Sequence, residues 1–174
     1  MSWNNIVLIG FMGSGKTTIA EYLSETYDME LIEMDARISD REGRSIPDIF
    51  AQSGEIYFRN LETDLLKELQ TGKNMVISCG GGVPLRTENV SEMKKIGKVV
   101  LLAADPQTVF ERVRGDETRP LLNGRNHVEG IGELMQERKA KYEKAADIIA
   151  STDNRTVESI GEEIVHRLKE MREW

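Results

Sequence analysis

This sequence predicts an α/β fold, a five-stranded parallel sheet flanked by helices on both faces. Three observations carry that expectation. Short apolar runs alternate with longer stretches whose apolar residues recur at helical spacing. The first run enters a glycine-rich loop from which a helix leaves. The 174 residues, 39% of them hydrophobic, suit one core rather than two, so residues 1–174 are expected to form a single domain.

The first strand is Ile6-Val7-Leu8-Ile9, apolar on both sides as a central strand must be. The helix after it sets Ile19, Leu23 and Tyr27 on one face. Glu30-Leu31-Ile32-Glu33 is the second strand. Ser45-Ile46-Pro47 opens a short helix that ends near Gly54, and Phe58, Leu61, Leu65 and Leu69 mark the stripe of the next. Met75 to Cys79 and Lys98 to Leu102 are the third and fourth strands. Asp105-Pro106 reads as the cap and first position of a helix through about Val113. Asp147 to Ala150 is the fifth strand. Val157, Ile160, Ile164, Leu168 and Met171 stripe the last helix. Strands alternating with helices imply a parallel sheet with helices on both faces and a ligand at the carboxyl ends of the strands. The polar connection Gly115–Gly132, rich in turn residues, is long enough to serve as a lid or binding loop.

Gly10-Phe-Met-Gly13-Ser14-Gly15-Lys16-Thr17 fits G-x-x-x-x-G-K-[ST]. Glycines let backbone N–H groups curl around phosphate, and the helix N-terminus adds positive potential. Lys16 supplies a charge for the β- and γ-phosphates, and the Thr17 hydroxyl is a ligand for Mg²⁺. Gly13, Ser14, Gly15, Lys16, Thr17 and Thr18 are therefore the expected ATP contacts.

Bulk properties exclude other classes. Lys and Arg number 23 against 30 Asp and Glu, a net charge of −7, which argues against nucleic acid as a partner. One cysteine, Cys79, rules out an internal disulfide framework, and it ends an apolar run as a small hydrophobe would. His127 and His166 stand too far apart in sequence to suggest a zinc site. No apolar run approaches the ~18 residues of a membrane span, and the N-terminus carries no signal-peptide pattern, so a cytoplasmic protein with no membrane partner is expected.

Phosphoryl transfer also needs a metal contact, a cation over the transferring group and something to receive the acceptor's proton. Glu33 and Asp35 sit two residues apart at the end of the second strand, which predicts that both face the same side. One would reach Mg²⁺ through water and the other the acceptor. Arg119, ahead of Pro120 and two leucines in the long connection, is the candidate lid cation. Gly80-Gly81-Gly82 permits a close approach of ligand to backbone, or simply makes a tight turn. Arg59, three or four residues from Glu55 and Glu62, reads as helix-surface ion pairing. Arg138, among Glu137, Lys139 and Lys141, reads as a solvated face.

Together these motifs resemble the shikimate kinase family over nearly the whole chain. The resemblance rests on GFMGSGKT (10–17), MDARI (34–38), RSIPDIF (44–50), FRNLE (58–62), CGGG (79–82), TRPLL (118–122), ERKAKYEKAAD (137–147) and NR (154–155). It implies a fold like that of nucleoside monophosphate kinases, a shikimate-binding region at about 33–62 and a lid at about 114–127. It implies transfer of the γ-phosphate of ATP to the 3-hydroxyl of shikimate, with Mg²⁺ as cofactor; a monomer is the expected working form. By resemblance, Asp35 contacts the acceptor hydroxyl and serves as base, and Arg59 and Arg138 hold the substrate carboxylate. Phe58 is an apolar wall, and Gly80, Gly81 and Gly82 line the ring. Arg119 meets the transferring phosphate, while Arg112 and Arg155 flank adenine. Glu33 stands where the family usually has aspartate. Paired arginines suit a carboxylate better than lysines do. Two alternatives stay open: another small-molecule kinase, acting on gluconate or a nucleoside monophosphate, and a catalytically silent ATP-binding relative.

Overall fold

Five strands form one parallel sheet in the order β2-β3-β1-β4-β5: β1 Ile6–Ile9, β2 Glu30–Glu33, β3 Met75–Ser78, β4 Lys98–Ala103 and β5 Ile148–Ser151. The computed structural model describes residues 4–115, 124–125 and 127–171. β1 is central, with Val7 in register with Ile77 on one side and Val99 on the other. Its four residues are buried because both faces are covered. The fifth strand starts one residue later than expected. Asp147, exposed ahead of it, accepts instead from the Val99 N–H at 2.8 Å and from Lys94 at 2.6 Å.

Period-two alternation divides the core. Ile6, Leu8, Val76, Val100 and Leu102 face α1 (Lys16–Tyr27) and α7 (Val157–Glu170). Val7, Ile9, Ile77, Val99 and Leu101 face the other layer. That layer comprises α2 (Met34–Glu42), α3 (Ile46–Leu69), α4 (Thr87–Ile96), α5 (Pro106–Val113) and α6 (Val128–Ala145). Among the described residues no helix is long and apolar enough to cross a membrane.

α3 is two helices in one bent rod. Ser45 caps it by accepting from the Asp48 N–H at 3.2 Å, and Pro47 lies in its first turn. Gly54 then breaks the helix at φ 84°, a conformation costly for any other residue. The break re-aims the second half, so that Phe58, Arg59 and Glu62 become buried together. The long connection is shorter at its far end than expected. α6 begins at Val128, with His127 as cap accepting from the Gly130 N–H at 2.9 Å.

Candidate active site

The chain leaves β1 at Ile9 and turns into α1 through Gly13 and Gly15, at φ 76° and 96°. The turn closes with Ser14 N–H donating to the Phe11 carbonyl at 3.0 Å. Lys16 bridges it, its Nζ donating to the carbonyls of Gly10 at 2.8 Å and Phe11 at 3.1 Å. Thr17 and Thr18 follow in the first helical turn. With Glu33, Asp35 and the Gly80-Gly81 backbone they line a cleft of about 480 Å³ at the carboxyl end of the sheet. Arg112, from α5, donates to the Gly13 carbonyl at 2.9 Å and to Thr152 Oγ1 at 3.4 Å, tying this loop to the end of β5. Arg155, between β5 and α7, is held by the carbonyls of Ser151 at 3.1 Å and Ser159 at 3.0 Å and by Glu163 at 2.5 Å.

Glu33 and Asp35 do share the cleft, but not as alternate strand positions. β2 stops at Glu33, and Asp35 stands in the first turn of α2. Helical rotation, not strand pleat, brings it round to the same side. Burial pushes the Glu33 carboxyl above its ordinary range, against the Thr17 and Ser78 hydroxyls, with Asp35 adding to the rise and Lys16 opposing it. Glu33 Oε1 is buried without a hydrogen-bond partner.

Across from the phosphate loop, the Gly80–Gly82 turn is packed by four charged side chains. A methyl group on Gly80 would stand 2.9 Å from Asp35 Oδ1 and 3.1 Å from Glu62 Oε1. On Gly82 it would fall 2.3 Å from Arg59 Nη1, so only glycine lets this guanidinium lie against the backbone. On Gly81 it would be 3.8 Å from Arg138 Nη1. Asn89 fixes the turn from behind, donating to the Val83 carbonyl at 3.0 Å and accepting from Thr63 at 2.6 Å.

Arg59 is buried against Phe58 and Phe50, at 5.4 and 6.0 Å from their ring centres. It keeps the expected partners: Glu62 at 2.9 Å and Glu55 at 3.2 Å. The ion pairing expected of it is therefore present, but inside the protein rather than on a helix surface. Glu62 is fully buried. Burial pushes its carboxyl up to about 7 against the pull of Arg59, and nearby Asp35 adds to the rise. Arg138 corrects the expectation of a solvated face, being only 7% exposed. Its guanidinium lies 5.5 Å from the Phe11 ring centre and donates to Tyr142 Oη at 3.4 Å. Tyr142 in turn donates to the Gly81 carbonyl at 2.6 Å. Burial pushes the Cys79 thiol far up, which leaves it a hydrophobe as expected.

Arg119 and most of the 114–127 segment lie outside the described residues. Three contributors escaped the sequence reading: Glu62 as the buried partner of Arg59, and Phe11 and Tyr142 as supports of Arg138. The i, i+4 spacing of Arg138 and Tyr142 was the available signal.

A family model described as shikimate kinase matches residues 12–169. The chain belongs to the shikimate kinase family. It is 42% identical over 165 residues to a shikimate kinase of Persephonella marina, covering 95% of this chain and 99% of that one. The solved shikimate kinase of Acinetobacter baumannii in complex with shikimate superposes with a TM-score of 0.90 at 32% identity, over 95% and 93% of the two chains. That of Aquifex aeolicus gives 0.82 at 38% identity, over 95% and 96%.

Proposed function

We propose that this chain transfers the γ-phosphate of ATP to the 3-hydroxyl of shikimate, giving shikimate 3-phosphate and ADP. The observation that carries this reading is the pair of buried arginines, Arg59 from α3 and Arg138 from α6, flanking the triglycine turn. Two forked donors on opposite sides of one turn suit a carboxylate, and they supply local positive charge in a chain of net charge −7.

The division of labour follows from position. Lys16 and the backbone N–H groups of Gly13 to Thr18 receive the phosphates. Arg59 and Arg138 fix the acceptor's carboxylate, and Phe58 packs against its ring. Asp35, within reach of the same turn as these arginines, accepts the proton of the attacking hydroxyl. Holding both substrates in line removes most of the entropic barrier. Arg112, near the end of α5, and Arg155, in the connection from β5 to α7, flank the base, and Arg119, outside the described residues, is assigned to the transferring phosphate by family resemblance.

The residues present fit Mg²⁺. Glu33 lines the cleft with Thr17 and has a buried carboxylate oxygen, Oε1, without a hydrogen-bond partner, and a hard cation takes such oxygen donors. Thr17 would hold the ion directly and Glu33 through water, and the ion would offset charge on the phosphate oxygens.

ADP release measured with shikimate, gluconate, AMP and CMP in turn tests the reading. Turnover with shikimate alone is expected. Turnover with another acceptor and none with shikimate sinks it.

A further inference from the structure

A second cavity, of about 250 Å³, opens behind Arg138 rather than beside the phosphate loop. It lies on the α6 side of β4 and β5, where the edge strand leaves Ile149 44% exposed. Phe11, Leu101, Pro106, Met135, Tyr142 and Ile149 give it apolar walls. At its mouth, Lys139 and Glu143 stand one helical turn apart on α6, half-exposed and 3.9 Å from each other.

Size and charge together narrow the occupant. An apolar void of about 150 Å³ accepts a benzene ring. The larger cavity therefore admits a ring and a few further atoms. The mouth offers one charge of each sign. A ligand with a single charge meets attraction from one group and repulsion from the other, whereas an ammonium and a carboxylate on the same carbon answer both. We propose that this cavity binds an α-amino acid with a ring-sized apolar side chain, and that its occupancy tightens the hold on shikimate through Phe11 and Tyr142.

The coupling follows from shared walls. The Phe11 ring faces the Arg138 guanidinium at 5.5 Å, and Tyr142 joins Arg138 to the Gly81 carbonyl. A ligand packed against these two rings adds contacts to the arrangement that presents Arg138. It therefore favours that arrangement, and shikimate must favour the ligand by the same factor. The coupling rests on the reading of Arg138 as a carboxylate contact; the binding does not.

Calorimetric titration separates the two. L-Phenylalanine, phenethylamine and 3-phenylpropionate are each titrated into the whole protein. The same is done with Gly132→Leu, which fills the cavity from α6. A methyl at that glycine meets Pro106 Cγ at 3.5 Å, an ordinary contact. L-Phenylalanine is expected to bind about tenfold more tightly than either one-charge analogue. Gly132→Leu should abolish its binding, and Lys139→Gln, which leaves the apolar walls intact, should reduce it to the level of phenethylamine. Saturating L-phenylalanine should lower the shikimate Kd, titrated in the same calorimeter, roughly threefold, and shikimate should tighten L-phenylalanine equally. Equal binding of the three probes, no binding of L-phenylalanine, or binding unchanged in Gly132→Leu overturns the site. Correct binding without a change in the shikimate Kd overturns the coupling. A protein that never phosphorylates shikimate overturns the proposed function and leaves the calorimetric comparison standing.

Discussion

One nitrogen of Arg59, Nη1, donates to both carboxylate oxygens of Glu62, at 3.1 and 2.9 Å, inside the protein. Glu62 therefore aims the guanidinium and also competes for it. Breaking such a buried pair by deleting one partner leaves an uncompensated charge, so the two residues act as a unit.

The competition should appear as a pH dependence. Glu62 titrates near 7, so at pH 6 it is mostly neutral and at pH 8 mostly charged. A charged Glu62 draws Arg59 toward itself and repels the acceptor's carboxylate. The shikimate KM is expected to rise roughly three- to tenfold between these values, about 0.7–1.4 kcal/mol. Glu62→Gln should flatten the profile. Stability follows the same sign. The native carboxyl binds its proton more tightly than the unfolded one, so stability falls as pH rises from about 4.5 to about 7. Urea unfolding at pH 5 and pH 8 would show a smaller difference in Glu62→Gln than in the parent.

Gly82→Ala drives a methyl group into the Arg59 guanidinium. The expected result is a shikimate KM raised tenfold or more, about 1.4 kcal/mol, with the ATP KM within about twofold. Initial rates with each substrate varied in turn check it, and an equal rise in both constants would count against a substrate-side role for this turn.

Lys16→Ala removes the charge that bridges the phosphate loop and faces the cleft. Loss of a positioned charge at a transferring phosphoryl group should lower kcat by about 10²–10³, or roughly 3–4 kcal/mol. Normal turnover in this variant would remove the loop from the mechanism.

Arg138→Lys keeps a positive charge but loses the flat face packed on Phe11 and the forked donors. Shikimate affinity should drop about tenfold, some 1.4 kcal/mol, while ATP affinity stays within twofold. Fluorescence or calorimetric titration of each ligand distinguishes this from a general loss of structure.

Asn89→Ala leaves the Val83 carbonyl without its buried side-chain donor and removes one of the two acceptors of the Thr63 hydroxyl, the other being the Arg59 carbonyl at 3.1 Å. The cost should be about 2–3 kcal/mol. For a chain of this length that lowers Tm by roughly 5–10 °C. Thermal unfolding followed by circular dichroism measures it, and a shift below about 2 °C would show that water replaces the side chain.

Much of the fold was legible because its signals are local. Ile6 to Ile9 reads as a buried strand from composition alone, and Gly54 ends a helix by its own backbone preference. The phosphate loop is legible for the same reason: its glycines and Lys16 act within a few residues of each other. The residues of the proposed acceptor pocket were hidden from sequence physics because they are brought together by long-range packing. Arg138 among three charged neighbours looks solvated until α6 is laid across the sheet, which buries its guanidinium against Phe11, far away in the chain. Asp35 was assigned the right side for the wrong reason, since nothing local announced that β2 would give way to helix after Glu33. Family resemblance supplied what spacing did not.

The two-sided core has a consequence for how this scaffold can change. Every side chain that touches the proposed acceptor pocket grows from the α2–α6 layer or the loops beside it, whereas α1 and α7 pack the opposite face. Replacements beneath α7 should therefore tune durability without altering which molecule is phosphorylated. Replacements in α3 and α6 can redirect the choice of acceptor while the nucleotide end stays as it is. Selection for robustness and selection for new chemistry can then act on separate sides of one sheet.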